Sequence, residues 1–437
     1  MNSPKMSFSA VGDFLIQRVI DTKYEGFEAL KDQISKADAR FFNLETTLHD
    51  GEYFGNQFYG GSYLHAPPAV LDVAKAYGFN MVSFANNHTM DFSYGGMLAT
   101  LDLVRANGFV NAGVGRNLDE AAAPAYLETA KGRVALISVV STMMNPAAMA
   151  GRQSRRIQGR PGVNGLRVDE KVEVTPEQFA VIQEIAQKSC INAREDASRA
   201  MGYWPALPEG VSVLKDLRFV CGTETRYRTR PKEEDMARVE KAIYEAQAQA
   251  DYIIISVHSH EQANLVRETP ADFLVEFSRR CIDSGAHAVI GHGPHLLRPV
   301  EIYKNRPIFY SLGNFILHNE SIRTAPEDMF EKYNMTSDNT LREMFCKRSN
   351  NYTRGLLADR CMMEAVVPYF EMENGELTHL ELLPIELGFE EPRWRKGNPR
   401  PATDRGIIER LAQMSEVYGT KIRVDERGMG IVSLQQD

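Results

Sequence analysis

No stretch of the chain reaches about eighteen consecutive apolar residues, so no segment reads as a membrane-spanning helix. Cysteine is scarce: Cys190, Cys221, Cys281, Cys346 and Cys361 are five among 437 residues, odd in number, widely spaced and without a Cys-x-x-Cys pair. That pattern excludes a disulfide framework and a zinc ribbon and fits a reducing compartment. Positive charge is not in excess, with 50 Lys and Arg against 58 Asp and Glu and a formal net charge of −8, which argues against nucleic acid as a partner. Met1 to Val11 lacks the apolar run behind a basic start that marks a secretory signal. The expectation from these absences is a cytoplasmic protein. No internal repeat and no low-complexity tract occurs. What remains is a chain of 43% hydrophobic and 25% charged residues, enough for a large α/β core with insertions or for two smaller domains.

Short apolar runs alternate with helical periodicity through the first third. Ser7–Val11, Arg40–Leu44, Met81–Phe84 and Arg133–Val140 read as strands; Phe27–Ser35, Val70–Tyr77 and Met97–Asn107 read as helices. Between Ser141 and Pro231 the pattern breaks down, apart from a polar helix at Pro176–Lys188, and this stretch reads as an inserted cap. Alternation resumes with helices at Glu233–Ala250 and Pro270–Ser284. Strands follow at Tyr252–Val257, Ala286–Ile290, Leu297–Tyr303 and Pro307–Ser311. A polar stretch runs from Ile316 to about Arg354. Two strands then flank the hairpin signal Asn374–Gly375, and Ile407–Val417 reads as a helix. This order predicts βαβ units and a mainly parallel sheet. The division expected is a catalytic domain over 5–320 carrying the insertion 141–231, with 321–437 as an α+β extension packed on it.

In open α/β sheets ligands bind beyond the carboxyl ends of the strands. Six strands here run out into a polar residue: Asp13, Glu45, the segment Asn86–Asn87–His88 with Asp91, the segment His258–Ser259–His260–Glu261, the segment His292–Gly293–Pro294–His295, and Asn314. Taken singly, Asp13 or Glu45 reads equally well as a cap or turn residue, and a lone histidine is more often structural. Taken together they point to one shared site. A bridging carboxylate with His, Asp and Asn donors is the ligand set of a dinuclear centre, nitrogen and oxygen without thiolate. Such a set suits Mn, Zn or Fe, one ion or two, and does not select among them. A neighbouring uncoordinated His can protonate a leaving group.

These segments resemble a known pattern. Calcineurin-like metallophosphoesterases place such residues at successive strand ends, and the capsule poly-γ-glutamate synthesis (CapA-type) branch resembles this chain further. The matching segments are Val11–Gly12–Asp13, Asn43–Leu44–Glu45, Ala85–Asn86–Asn87–His88 with Asp91, His258, Gly291–His292–Gly293–Pro294–His295 and Tyr310–Ser311–Leu312–Gly313–Asn314–Phe315. The resemblance covers about residues 7 to 317 and implies a four-layer αββα sandwich. It implies that Asp13 binds a first metal and that Glu45 bridges. Asn87, His258 and His292 would hold a second ion, and His295 would reach back to the first. His88 would be the general acid, oriented by Asp91, and Asp13 and His295 would also face the reaction. His260 is an alternative ligand or a substrate contact. The chain departs from the superfamily pattern in three places. Asp13 is followed by Phe14 and Leu15 with no histidine, Glu45 replaces an aspartate, and the last two histidines are three apart rather than two. The weaker first site leaves one ion, or none, as alternatives.

Arg152, Arg155, Arg156, Arg160 and Arg167 gather in the glycine-containing start of the insertion. A solvated loop is one reading. The other is an anion clamp, since guanidinium groups hold carboxylate or phosphate in pairs of hydrogen bonds. Arg152, Arg155, Arg156, His260 and Asn314 are therefore the candidate substrate contacts, for an anionic small molecule, a peptide or polyglutamate. Three functions stay open at this point. The first is metal-dependent hydrolysis of a phosphoester or a γ-glutamyl-type amide. The second is metal-free acid–base chemistry of the epimerase kind by Asp13 with His292 or His295. The third is a non-catalytic role in polymer synthesis. The sequence leaves the oligomeric state open.

Overall fold

The structure is a computed structural model that describes residues 3–434. Two mixed sheets carry the architecture. The first has the order Ile422–Val424, Gly430–Val432, Glu376–Glu386, Glu364–Glu373, Met6–Leu15, Ala39–Leu44, Met81–Ser83 and Val110–Ala112, with Asn314–Leu317 also paired to Met6–Leu15. The second has the order Leu297–Tyr303, Arg306–Leu312, Ala288–His292, Tyr252–His258, Gly132–Val140 and Ala125–Thr129. The sheets are mixed rather than mainly parallel. The C-terminal hairpin Glu364–Glu386 joins antiparallel to Met6–Ser9 and extends the first sheet, and Leu297–Tyr303 runs antiparallel on Arg306–Leu312.

The layers follow from where the apolar side chains go. Phe8, Ala10, Phe41 and Met81 of the first sheet pack with Val134, Leu136, Ile254 and Ile290 of the second, which is the core between the sheets. The far face of the first sheet is covered by Phe27–Ser35, Val70–Ala76 and Ser93–Ala106, through Leu30, Ile34, Leu71, Leu101 and Val104. The far face of the second is covered by Glu233–Gln247 and Asp272–Asp283. The latter helix buries Phe273, Leu274, Phe277 and Cys281, a stripe spaced for one helical face. Strand Tyr252–His258 is buried along its whole length, as a central parallel strand covered on both faces must be. All five cysteines are free thiols. Among the described residues no helix is long and apolar enough to cross a membrane.

Two segments read as irregular or polar have more order than their composition suggests. The insertion forms a four-stranded sheet of Val168–Val174, Val211–Leu214, Leu217–Cys221 and Arg226–Pro231, with helices Pro176–Ser189 and Ala193–Ala200, neither of which buries a residue of its own. The polar stretch after Ile316 holds helices Glu327–Glu331 and Leu341–Arg348. They bury Met329, Phe330, Met344 and Phe345 against Leu15, Tyr63 and Leu317. That segment closes over the rim where the strands end.

One strand irregularity positions the site. Opposite Ala39–Leu44, the residues Ala10 and Asp13 pair with Phe41 and Asn43, three steps against two. The extra residue is a β-bulge, and it reverses the side-chain alternation. Ala10 faces the core between the sheets, while Val11 and Phe14 both face the helices. Asp13 therefore leaves the helix side and joins the rim. Gly12 makes the bulge feasible, since a Cβ there would lie 1.9 Å from the Gly313 carbonyl oxygen.

Candidate metal centre

Asp13, Glu45, Asn87, His88, His258, His260, His292 and His295 converge at one rim of the two sheets. His292 and His258 are paired neighbours at the ends of adjacent parallel strands. The His258 Nδ1 lies 2.9 Å from the His292 Nδ1, and the His258 Nε2 lies 2.8 Å from the Asn87 Oδ1 and 3.0 Å from the His260 Nε2. Ser256, two residues before His258 on the same strand face, is 2.8 Å from the His292 Nε2 and orients that ring. Asp13 accepts from the Asn43 amide at 2.9 Å and from the Gly293 backbone N–H at 3.0 Å. Its carboxylate oxygens stand 3.8 Å from His258, 3.7 Å from His292 and 3.5 Å from His295.

Glu45 is the group that decides how the cluster is read. It is fully buried, no N–H or hydroxyl donates to either of its carboxyl oxygens, and its one polar contact of hydrogen-bond type is with the Asp13 carboxyl. One oxygen faces three imidazole nitrogens: His295 at 3.8 Å, His258 at 3.9 Å and His88 at 4.0 Å. A buried carboxylate without donors is costly unless it is paired or binds a cation. Burial is the largest cause raising the Glu45 carboxyl well above its ordinary range, followed by the charges of Asp13 and Asp91. Burial likewise raises Asp13 to about 7, against the lowering effect of its bonds from Asn43 and Gly293. Burial holds His292 down to about 3 and His295 to about 4. His258 and His260 are also lowered, first by burial and then by neighbouring imidazoles. Neutral imidazoles are the form that ligates metal.

Three subsets bring their donor atoms within 4.8 Å of one another: Asp13 with His258 and His292, Glu45 with His258 and His260, and Asp13 with Glu45 and His295. The donors are nitrogen and oxygen, and the orphaned Glu45 oxygens lie among them, so the residues fit a divalent cation.

Around this set stand groups that hold it in place. The His88 Nδ1 is 2.6 Å from the Asp91 Oδ2, and Asp91 also accepts from the backbone N–H groups of Gly60 and Leu64 at 2.9 Å each. His295 has φ of 61°, a left-handed conformation uncommon outside glycine. Asn314 braces it at both ends: its Oδ1 is 2.9 Å from the His295 Nδ1, and its Nδ2 donates to the His295 carbonyl at 3.0 Å. Gly293, at φ of 120°, gives the turn between the two histidines. The Glu261 carboxylate takes the hydroxyls of Ser141, Thr142 and Ser259, and the Thr142 hydroxyl accepts from the His260 N–H. The start of the insertion thus fastens the His260 turn. Arg298, fully buried, donates to the His260 carbonyl at 3.0 Å.

The arginines of the insertion stand elsewhere in this network. Arg152, Arg155 and Arg156 are exposed, and among the described residues no hydrogen bond or ion pair ties them to the cluster. Arg160 donates to the Met149 carbonyl, and Arg167 pairs with Asp235 at 2.8 Å and Glu234 at 3.0 Å. Ser256 and Arg298 were missed in the sequence, and Asn43 and Glu261 stood in the singled-out segments without a role. Asn43 had a signal, since it lies two residues before Glu45 on a strand and shares its face.

The family model for the bacterial capsule synthesis protein PGA_cap matches residues 7–319, the span that contains every residue of this cluster. The chain belongs to the PGA_cap family. The uncharacterized protein y4sH of Sinorhizobium fredii is 34% identical over 97% of this chain and 92% of its own length. The PGA biosynthesis protein CapA of Bacillus subtilis is 33% identical over 23% of this chain and 25% of its own. A solved structure of a hypothetical protein from Thermus thermophilus covers 87% of this chain and 99% of its own, at 11% identity and a TM-score of 0.37.

Proposed function

We propose that this chain is a metal-dependent hydrolase of the calcineurin-like metallophosphoesterase type, acting on a phosphoester or a γ-glutamyl-type amide in poly-γ-glutamate-related metabolism. The observation that carries the reading is the fully buried Glu45, to which no N–H or hydroxyl donates, set beside a second buried carboxyl, Asp13, and faced by three imidazoles. The layering of helices on two packed sheets supports the fold assignment, and the PGA_cap family membership supports the substrate class. Asp13, Glu45, Asn87, His258, His260, His292 and His295 would hold one or two ions of Mn, Zn or Fe. A divalent ion there supplies Lewis acidity toward a phosphoryl or carbonyl oxygen and makes water more acidic.

The chain's own groups do the rest. His88 donates its Nε2 proton to the leaving oxygen or nitrogen, and Asp91 holds the ring through Nδ1. Asp91 itself is fixed by two backbone donors, so the imidazole is oriented before substrate arrives. Asn314 keeps His295 turned toward Asp13 and Glu45. The segment 318–363 packs on Leu15 and Leu317 at the strand ends and accepts from Asn314 at the Met362 carbonyl.

The test is metal content after purification without chelator, with hydrolysis of a generic phosphodiester and of a γ-linked glutamate oligomer in parallel. Stoichiometric Mn, Zn or Fe that falls in Glu45→Gln supports the reading; a metal content unchanged in that variant ends it. A second reading draws on Asp13, raised to about 7 and 3.5 Å from His295, as a proton-transfer pair that needs no metal. It requires activity that survives chelation and solvent deuterium that enters the substrate.

A further inference from the structure

A cavity of about 890 Å³ lies under the segment 318–363, of a size that holds a small ligand. Its charged lining is Arg267, Arg348, Arg354 and Arg360 against Glu320 and Asp359. Partners inside and outside the cavity engage four of these six. Arg267 meets Asp359 at 2.5 Å, Glu320 receives Arg393 at 3.0 Å, and Arg360 pairs with Glu390 while its guanidinium lies over Phe389. Arg348 and Arg354 have no carboxylate partner among the described residues. Arg348 donates only to the Ser62 hydroxyl. Two such guanidinium groups on one concave wall stand out in a chain of net charge −8.

The cavity wall and the cluster share supports at three points. Asn314, which braces His295, also donates to the Met362 carbonyl at 2.9 Å, and Met362 lines the cavity. Arg298 donates both to the His260 carbonyl at 3.0 Å and to the Arg267 carbonyl at 3.2 Å. Ser62, the partner of Arg348, sits between Gly60 and Leu64, whose N–H groups hold Asp91 behind His88. The cavity wall and the cluster are thus fastened to the same supporting residues.

We propose that Arg348 and Arg354 form an anion subsite that takes a side carboxylate of a polyglutamate-type chain while another part of that chain lies at the cluster. The proposal rests on reading the cluster as the reaction centre. Carboxylate is the fitting ligand because guanidinium groups pair with it through two parallel hydrogen bonds, and a γ-linked glutamate chain carries one free carboxylate per residue.

The experiment is calorimetric binding of a γ-linked glutamate trimer to the full chain, with metal content measured on each sample. The comparison ligands are the same trimer with its carboxylates amidated and an α-linked trimer. Arg354→Gln and the double variant Arg348→Gln, Arg354→Gln are compared with the wild type. Expected are binding of the free trimer but not of the amidated one, and affinity weaker by roughly tenfold or more in the double variant, in line with loss of charge-assisted hydrogen bonds. Arg354→Gln alone, at an exposed position, is expected to show part of that loss and guards against misfolding from the Arg348–Ser62 contact. Equal affinity for the α-linked trimer also supports a carboxylate subsite, with linkage read elsewhere. Wild-type affinity in the double variant, equal binding of the amidated trimer, or no binding of the free trimer to wild type each overturns the subsite. Metal content reports on the cluster separately, so the two readings fail independently.

Discussion

The rim of strand ends and the insertion both concentrate charge, and they treat it oppositely. At the rim, Asp13, Glu45, His258 and His292 are removed from water completely, and no N–H or hydroxyl donates to Glu45. In the insertion, Arg152, Arg155 and Arg156 remain exposed, and Arg167 is neutralised by Asp235 and Glu234. Solvated charges cost the fold little and reveal little. Desolvated charges without partners are expensive, and a fold keeps them where a ligand or ion compensates.

The sharpest way to test that contrast is at Glu45 and Asp13. Glu45→Gln or Asp13→Asn is expected to lower bound metal and hydrolysis by at least about 100-fold, beyond the 10–100-fold typical of groups that only support a ligand. Elemental analysis and turnover measure both. Asp91→Asn is the next largest. It is expected to keep the metal, to lower turnover by roughly 10–100-fold and to shift the pH–rate profile, because His88 loses its orienting carboxylate. A pH profile unchanged in shape would remove His88 from proton transfer.

The third prediction concerns acid. His292 and His295 have folded values of about 3 and about 4, below the ordinary 6.5 of an unfolded histidine. The unfolded chain takes up protons below 6.5 that the folded one refuses. Their contribution to stability is therefore complete above 6.5 and is lost as pH falls toward 4 and 3. Asp13, raised to about 7, and Glu45, also raised, act in the other direction, but they are two carboxyls against four lowered imidazoles. Metal-free protein is expected to melt at a lower temperature at about pH 5 than at about pH 7. A rise in melting temperature on acidification would break the comparison. The smallest effect is expected from replacing Arg152, Arg155 and Arg156 together by Gln, within about 0.5 kcal/mol in stability. A loss of γ-glutamate binding in that variant as large as at Arg348 and Arg354 would give the insertion a share in the site.

Much of this rim was legible before the fold. The runs Tyr252–Val257 and Arg133–Val140 are apolar and β-branched, and each ends in a polar residue where a parallel sheet exposes its carboxyl edge. The insertion was not legible for the same reason in reverse. Strand Val168–Val174 carries Asp169, Glu170, Lys171 and Glu173, and its pairing with Arg226–Pro231 rests on backbone bonds and opposite charges rather than apolar alternation. The helices of 318–363 were hidden because they bury only a few residues each. The Arg348–Arg354 cavity was hidden because its wall joins Arg267, about ninety residues away in the chain, to the segment 319–362 and Phe389. Arg298 gave no signal, since its partners are carbonyls and leave no pattern in side-chain types.

The bulge before Asp13 has a consequence for how the first strand tolerates change. The extra residue lies between Ala10 and Asp13, where Val11 and Gly12 together stand against the single step from Phe41 to Asn43. Enlargement of Gly12 drives a methyl group into the Gly313 carbonyl at 1.9 Å, one residue before the Asn314 that holds His295. A place that burial alone would offer to any small residue therefore admits no side chain at all.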